Sequence, residues 1–87
     1  MKWFVYLLRC ADGSLYTGIT KDVSRRYQQH NAGTASKYTR GRRPVRLVYR
    51  EPHSSQSSAL KREASIKAMT RQVKLAMIRP RKKAVKG

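Results

Sequence analysis

The stretch from Val5 to His30, VYLLRCADGSLYTGITKDVSRRYQQH, decides how the chain folds. It divides into strand, turn, strand and helix. Trp3 to Leu8 is aromatic, β-branched and aliphatic, which suits a central strand covered on both faces. Ala11-Asp12-Gly13-Ser14 signals a turn, and Leu15 to Ile19 supplies the return strand of a hairpin. Side chains alternate faces along a strand, so the loop length sets which residues share a face. A two-residue loop at Asp12-Gly13 puts Tyr6 and Tyr16 on opposite faces. A three-residue loop, Ala11-Asp12-Gly13 with Gly13 left-handed, sets Tyr6 opposite Gly18 and Tyr16 opposite Leu8, on one face. The three-residue form is the expectation.

Thr20 or Asp22 caps a helix expected over Val23 to Asn31, with Gly33 near its end. Val23, Arg26, Tyr27 and His30 recur at i, i+3, i+4 and i+7, the core-facing stripe of a helix. An arginine and a histidine in that stripe have bland accounts as well as functional ones. Arg26 can pair with Asp22 one turn earlier, or lay its stem on the core with its head in water. A lone His30 can be a satisfied core histidine.

Working outward, Gly33 to Pro44 (GTASKYTRGRRP) reads as a basic loop in which Lys37, Arg40, Arg42 and Arg43 surround Tyr38. Such a loop can follow a phosphate backbone while the tyrosine stacks on a base, or can simply be solvated. Val45 to Tyr49 is the third strand, ended by Glu51-Pro52, with Glu51 exposed and His53 at the surface. A helix follows over Ser57 to Met69, with Leu60, Ala64, Ile66 and Met69 turned inward. Thr70 starts a shorter helix whose inner side is Val73, Ala76 and Met77, and Pro80 stops it. The reading is one domain over residues 1–79 and a disordered basic tail over 80–87.

Lys and Arg number 21 against 4 acids in 87 residues, a net charge of +17. That field attracts polyanions, nucleic acid first, RNA as well as DNA. An anionic membrane surface is the rival. It is disfavoured because the basic residues spread along the chain rather than lining one helix face. No run of about 18 apolar residues is present. The apolar Trp3 to Leu8 stretch is too short for a signal peptide, so the expected location is the cytoplasm, as a monomer or weak dimer. Cys10 is the one cysteine, which leaves no internal disulfide and no zinc cluster.

The acids are few enough to take singly. Asp12 has a turn to make, Asp22 a helix to cap, and Glu51 a strand to end. Glu63 lies mid-helix at the border of the apolar side, with Lys67 four residues on. A Glu–Lys pair contributes a few tenths of a kcal/mol at most. The other use for Glu63 is as a metal ligand, since Mg²⁺ often binds through one or two carboxylates plus water and phosphate. Four dispersed acids exclude a nuclease site built on three or four clustered carboxylates. The absence of a GxxxxGK[ST] loop argues against nucleotide hydrolysis.

Together these residues resemble the GIY-YIG endonuclease superfamily, most closely its compact single-domain bacterial members. Val5-Tyr6-Leu7 is similar to the first motif, keeping its tyrosine, and Tyr16-Thr17-Gly18 to the second. Lys21 to His30 is similar to the segment that carries the family's essential arginine, here Arg26. Leu60 to Lys67 matches the helix that carries its metal-holding glutamate, here Glu63. Many relatives carry an asparagine farther on; this chain has none after Asn31, and Lys67 or Lys74 stands in its place.

The resemblance implies an α/β fold, a small three-stranded antiparallel sheet flanked by helices in the order β-β-α-β-α-α. It implies hydrolysis of DNA phosphodiester bonds with Mg²⁺ or Mn²⁺, by structure rather than sequence, in DNA repair or recombination. Tyr6 or Tyr16 would orient or deprotonate water, with His30 in support. Arg26 would hold the scissile phosphate and Glu63 the metal. Gly18 would allow close approach of backbone or substrate, while Lys37, Tyr38, Arg40, Arg42, Arg43 and Lys67 would contact DNA. The alternative is a nucleic-acid-binding module that has kept the fold without the chemistry.

Overall fold

The computed structural model describes residues 2–78. The expected basic tail and the stop at Pro80 lie outside the described residues. Seven elements follow in order: β1 (Trp3–Arg9), β2 (Leu15–Thr20), α1 (Val23–Ala32), α2 (Lys37–Arg40), β3 (Arg46–His53), α3 (Gln56–Lys67) and α4 (Arg71–Ile78). The three strands form one antiparallel sheet in the order β2-β1-β3. The expected architecture is therefore present, with one short helix added where a loop was expected.

The hairpin has the register that the three-residue loop requires. Tyr6 faces Gly18 and Leu8 faces Tyr16. Gly13 is left-handed at φ 87°, and the loop closes with Cys10 N–H donating to Ser14 O at 2.9 Å. Asp12 accepts from the Ser14 backbone at 3.0 Å and from Arg42 Nε at 3.0 Å, which ties the hairpin tip to the segment after α2.

β1 is central and its alternation builds two cores. Val5 and Leu7 point to one face, where Ala59 and Ile66 of α3 close over them with Met69, Met77 and Ile78. Tyr6 and Leu8 point to the other, packed with Cys10, Val45 and Tyr27 of α1. Asp22 caps α1 by accepting from Arg25 N–H, and Gly33 ends it at φ 84°. Asn31 then bonds both backbone groups of Val45, pinning the end of α1 to the start of β3.

Three expectations change. β3 runs through Glu51-Pro52 to His53 instead of ending there. It is an edge strand, where the missing N–H of proline costs no ladder bond. Ile66 and Met69 pack inward as expected, but Ala59 and Glu63 share their side while Leu60 and Ala64 are exposed. The pairing of Ala59 with Ile66 seven residues on fixes the helix rotation, and the larger Leu60 is left outside. In α4, Met77 packs inward as expected, but Val73 and Ala76 are exposed and Ile78 joins the core.

Candidate active site

The stripe on α1 faces the Tyr6 side of the sheet. Val23 and His30 are buried, and Arg26 and Tyr27 are half-buried. His30 is 1% exposed and both of its ring nitrogens are bonded. Nε2 lies 2.8 Å from Tyr6 Oη, and Nδ1 lies 2.7 Å from Thr39 Oγ1. Tyr16 completes the cluster, its ring centroid 5.1 Å from His30 and 6.4 Å from Tyr6. Two tyrosines and a histidine thus pack into one cluster on the β1–β2 side of the sheet.

Gly18 makes this possible in a different way from the one expected. A Cβ there would stand 2.5 Å from Tyr6 Oη, so the space beside Gly18 is filled by the chain's own phenol rather than by substrate. Gly18 is itself buried.

The local charges are distinct for each group. Burial, then the neighbouring Tyr16, pushes the Tyr6 phenol well above its usual range; Arg26 opposes this and Glu63 adds to it. Burial, then Arg26, pushes His30 below its usual value, so the ring is neutral near pH 7. Among the described residues Arg26 makes no ion pair, because Asp22 is engaged in capping the helix. Arg26 also lines a cleft of about 360 Å³ with Trp3, Lys21 and Arg25.

Glu63 reaches this region from the other layer. Its side chain is 19% exposed and pairs with Lys67 at 3.2 Å. Its charge is felt at Tyr6, although α3 packs on the Val5 and Leu7 face. No group of three or more His, Cys, Asp or Glu residues gathers anywhere among the described residues. A hard cation would therefore have one protein carboxylate here, Glu63, which fits Mg²⁺ completed by water and phosphate.

The basic segment is more ordered than a solvated loop. Ser36 caps α2 by accepting from Thr39 N–H. Tyr38 stacks on Tyr16 at 5.7 Å, and the Arg42 guanidinium lies 3.9 Å from the Tyr38 ring. Arg42 also bonds Asp12 and the Tyr38 carbonyl, and Arg43 bonds the Arg40 carbonyl. Arg42 and Tyr38 thus hold this segment against the hairpin, and Arg43 closes back onto α2. Lys37, Arg40 and Arg43 are the exposed cations of this segment.

Sequence reasoning passed over Thr39 altogether, and it misread Glu51 and His53. Tyr49 and His53 both bond Glu51, at 2.5 and 2.8 Å, and Arg62 reaches it from α3 at 2.8 Å. His53 Nδ1 is 2.6 Å from Ser58 Oγ. Glu51 and His53 are only 19% and 17% exposed. The spacing 49, 51, 53 puts all three side chains on one strand face, a signal hidden by ending the strand at Pro52.

A family model described as the GIY-YIG catalytic domain matches residues 2–76. The chain belongs to the GIY-YIG family. That makes it a member of a nuclease superfamily whose enzymes generally use divalent metals and act on DNA. UPF0213 proteins of Staphylococcus aureus are 56% identical over 78 residues, 90% of this chain and 95% of theirs. The solution NMR structure of UPF0213 protein BH0048 from Bacillus halodurans matches with TM-score 0.58 and 44% identity, covering 90% of this chain and 83% of that one. The solution NMR structure of EF2693 from E. faecalis matches with TM-score 0.59 and 41% identity, covering 85% and 79%. No described helix is long and apolar enough to cross a membrane.

Proposed function

We propose that the protein is a divalent-metal-dependent endonuclease that hydrolyses DNA phosphodiester bonds by recognising backbone structure, in DNA repair or recombination. The observation that carries this reading is the bond between Tyr6 Oη and a buried, neutral His30 beside Arg26, which makes no ion pair among the described residues. A phenol with a raised pKa is a poor base on its own. It becomes useful if its proton has somewhere to go as it takes another.

His30 Nε2 provides that place. Water gives a proton to Tyr6 Oη as Tyr6 gives its own to Nε2. The water oxygen bonds to phosphorus, the bond to the leaving oxygen breaks, and solvent protonates that oxygen. His30, left as imidazolium, returns its proton to solvent. Arg26 hydrogen-bonds the non-bridging oxygens, where charge grows in the transition state. Tyr16 orients the water from the same pocket. Glu63 would hold Mg²⁺ or Mn²⁺ once Lys67 releases it, and the cation neutralises charge on the phosphate oxygens when bound. Lys37 and Arg40 hold the flanking backbone.

The test is incubation of the protein with branched, flapped and plain DNA and Mg²⁺ or Mn²⁺, beside Arg26→Ala and Glu63→Ala. Cleavage by the wild type that is lost in both variants, with DNA binding kept in Glu63→Ala, supports the enzyme. Equal binding and no cleavage by any variant leaves a nucleic-acid-binding module.

A further inference from the structure

We propose that Thr39 is a positioning residue: its hydroxyl holds His30 in the tautomer that carries hydrogen on Nδ1, so that Nε2 is free to accept from Tyr6. The inference deepens the reading of Tyr6 and His30 as a proton-handling pair and rests on it for its catalytic consequence.

The argument is a count of protons along one chain of bonds. Tyr6 Oη meets His30 Nε2, His30 Nδ1 meets Thr39 Oγ1, and Thr39 Oγ1 meets Ser36 at Oγ (3.1 Å) and at its carbonyl oxygen (3.5 Å). Heavy-atom distances alone allow two directions. In one, Thr39 donates to Nδ1, Nε2–H donates to Tyr6, and the Tyr6 proton needs another acceptor. Tyr6 is 3% exposed, and among the described residues its hydroxyl bonds only His30. Its one other reach is the incoming water, and a Tyr6 that donates to that water cannot take the water's proton. In the other direction every proton has an acceptor: Tyr6 to Nε2, Nδ1–H to Thr39, and Thr39 to Ser36. The second arrangement wins.

The placement is specific. Thr39 is fully buried, and its backbone N–H is already satisfied by Ser36 Oγ at 3.1 Å. The side-chain oxygen is therefore not needed to cap α2. It sits at the one ring nitrogen that Tyr6 does not use. The ionisable groups around His30 are Tyr6 on β1, Tyr16 on β2 and Arg26 on α1; α2 presents only the uncharged Thr39 to it. Among the described residues no carboxylate bonds the ring, so Thr39 Oγ1 is the acceptor for Nδ1–H while its own proton goes to Ser36.

The test uses the full chain labelled with ¹⁵N-histidine. Two-bond ¹H–¹⁵N correlation at neutral pH reads which ring nitrogen is protonated. Wild type and Thr39→Ser are expected to show Nδ1–H for His30, and Thr39→Val a shift towards Nε2–H, with Thr39→Ala as a second hydroxyl-free variant should valine disturb folding. On the cleaved DNA, loss of the hydroxyl should lower kcat about 10–100-fold with KM kept, the range for partners that orient a functional histidine, and serine should restore it. Nε2–H in the wild type, or an unchanged spectrum in both hydroxyl-free variants, overturns the assignment. Absence of cleavage by every variant defeats the enzymatic reading instead, and the spectrum still decides the tautomer.

Discussion

Two clusters, each built on tyrosine and histidine, sit on opposite faces of the sheet and differ in how their charge is balanced. Around Glu51, the carboxylate accepts from Tyr49, His53 and Arg62, and the other ring nitrogen of His53 bonds Ser58. Burial alone would raise its pKa, but those bonds outweigh burial and hold it below the usual carboxylate value. Among the described residues no carboxylate bonds His30, and the cation beside it, Arg26, makes no ion pair. The first cluster joins β3 to α3 and is complete. The second holds a buried phenol and a neutral imidazole beside a cation that no described carboxylate neutralises. Completeness separates a clamp from a site more clearly than residue type does.

The largest expected effect tests the incomplete side. Arg26→Ala should lower cleavage about 10²–10³-fold, the loss typical of a charge-stabilising donor. Its thermal midpoint should stay near that of the wild type, because no described ion pair is broken. A large drop in midpoint would mean that Arg26 is a structural residue and that the contrast is false. Glu51→Ala should do the reverse. Leaving Arg62, Tyr49 and His53 without their acceptor should cost about 2–3 kcal/mol. In a domain of this size that lowers the midpoint by roughly 10 °C or more. Cleavage by the fraction still folded should change little, as activity measured well below the midpoint would show.

How much of this was legible in the sequence follows the same division. The hairpin register was readable because Gly13 chooses the loop and the loop chooses the face. The α1 stripe was readable because its period is strict. The rotation of α3 was not, since Leu60 and Ala64 make as good an apolar side as Ala59 and Ile66 until the sheet selects one. That selection moves Glu63 from the border to the inward face. Thr39 was invisible for a related reason. Nothing local distinguishes a loop threonine whose partner lies nine residues back on another helix.

Gly18→Ala puts a methyl where the Tyr6 hydroxyl now lies. The phenol must move away from His30, at about 1–3 kcal/mol of overpacking strain. Cleavage should fall through kcat, and DNA binding should be kept. Unchanged kcat would separate Tyr6 from the chemistry. Acid separates the clusters without mutation. His30 titrates below its ordinary 6.5 in the fold, so its contribution is whole above that pH and is lost as pH falls through the folded value. Glu51 titrates below 4.5, so its contribution persists to lower pH and is lost as pH falls through its own folded value. Denaturant titrations should show two steps, and His30→Gln should remove the upper one alone.

The smallest expected effect on stability concerns the other glutamate, Glu63, and its pair with Lys67. Glu63 resembles Glu51 in burial, both side chains being 19% exposed, but it has a single partner, Lys67, whose own side chain is 57% exposed. A helical i,i+4 pair of this kind contributes only a few tenths of a kcal/mol, so Lys67→Ala should hardly move the midpoint. If Glu63 is the cation ligand, Lys67 is its competitor in the resting protein. Removing it should lower the Mg²⁺ or Mn²⁺ concentration at which cleavage is half-maximal. A higher KM for DNA at unchanged metal requirement would make Lys67 a phosphate contact instead. A midpoint loss as large as that of Glu51→Ala would place Glu63 in a second clamp and remove the one carboxylate available to a metal.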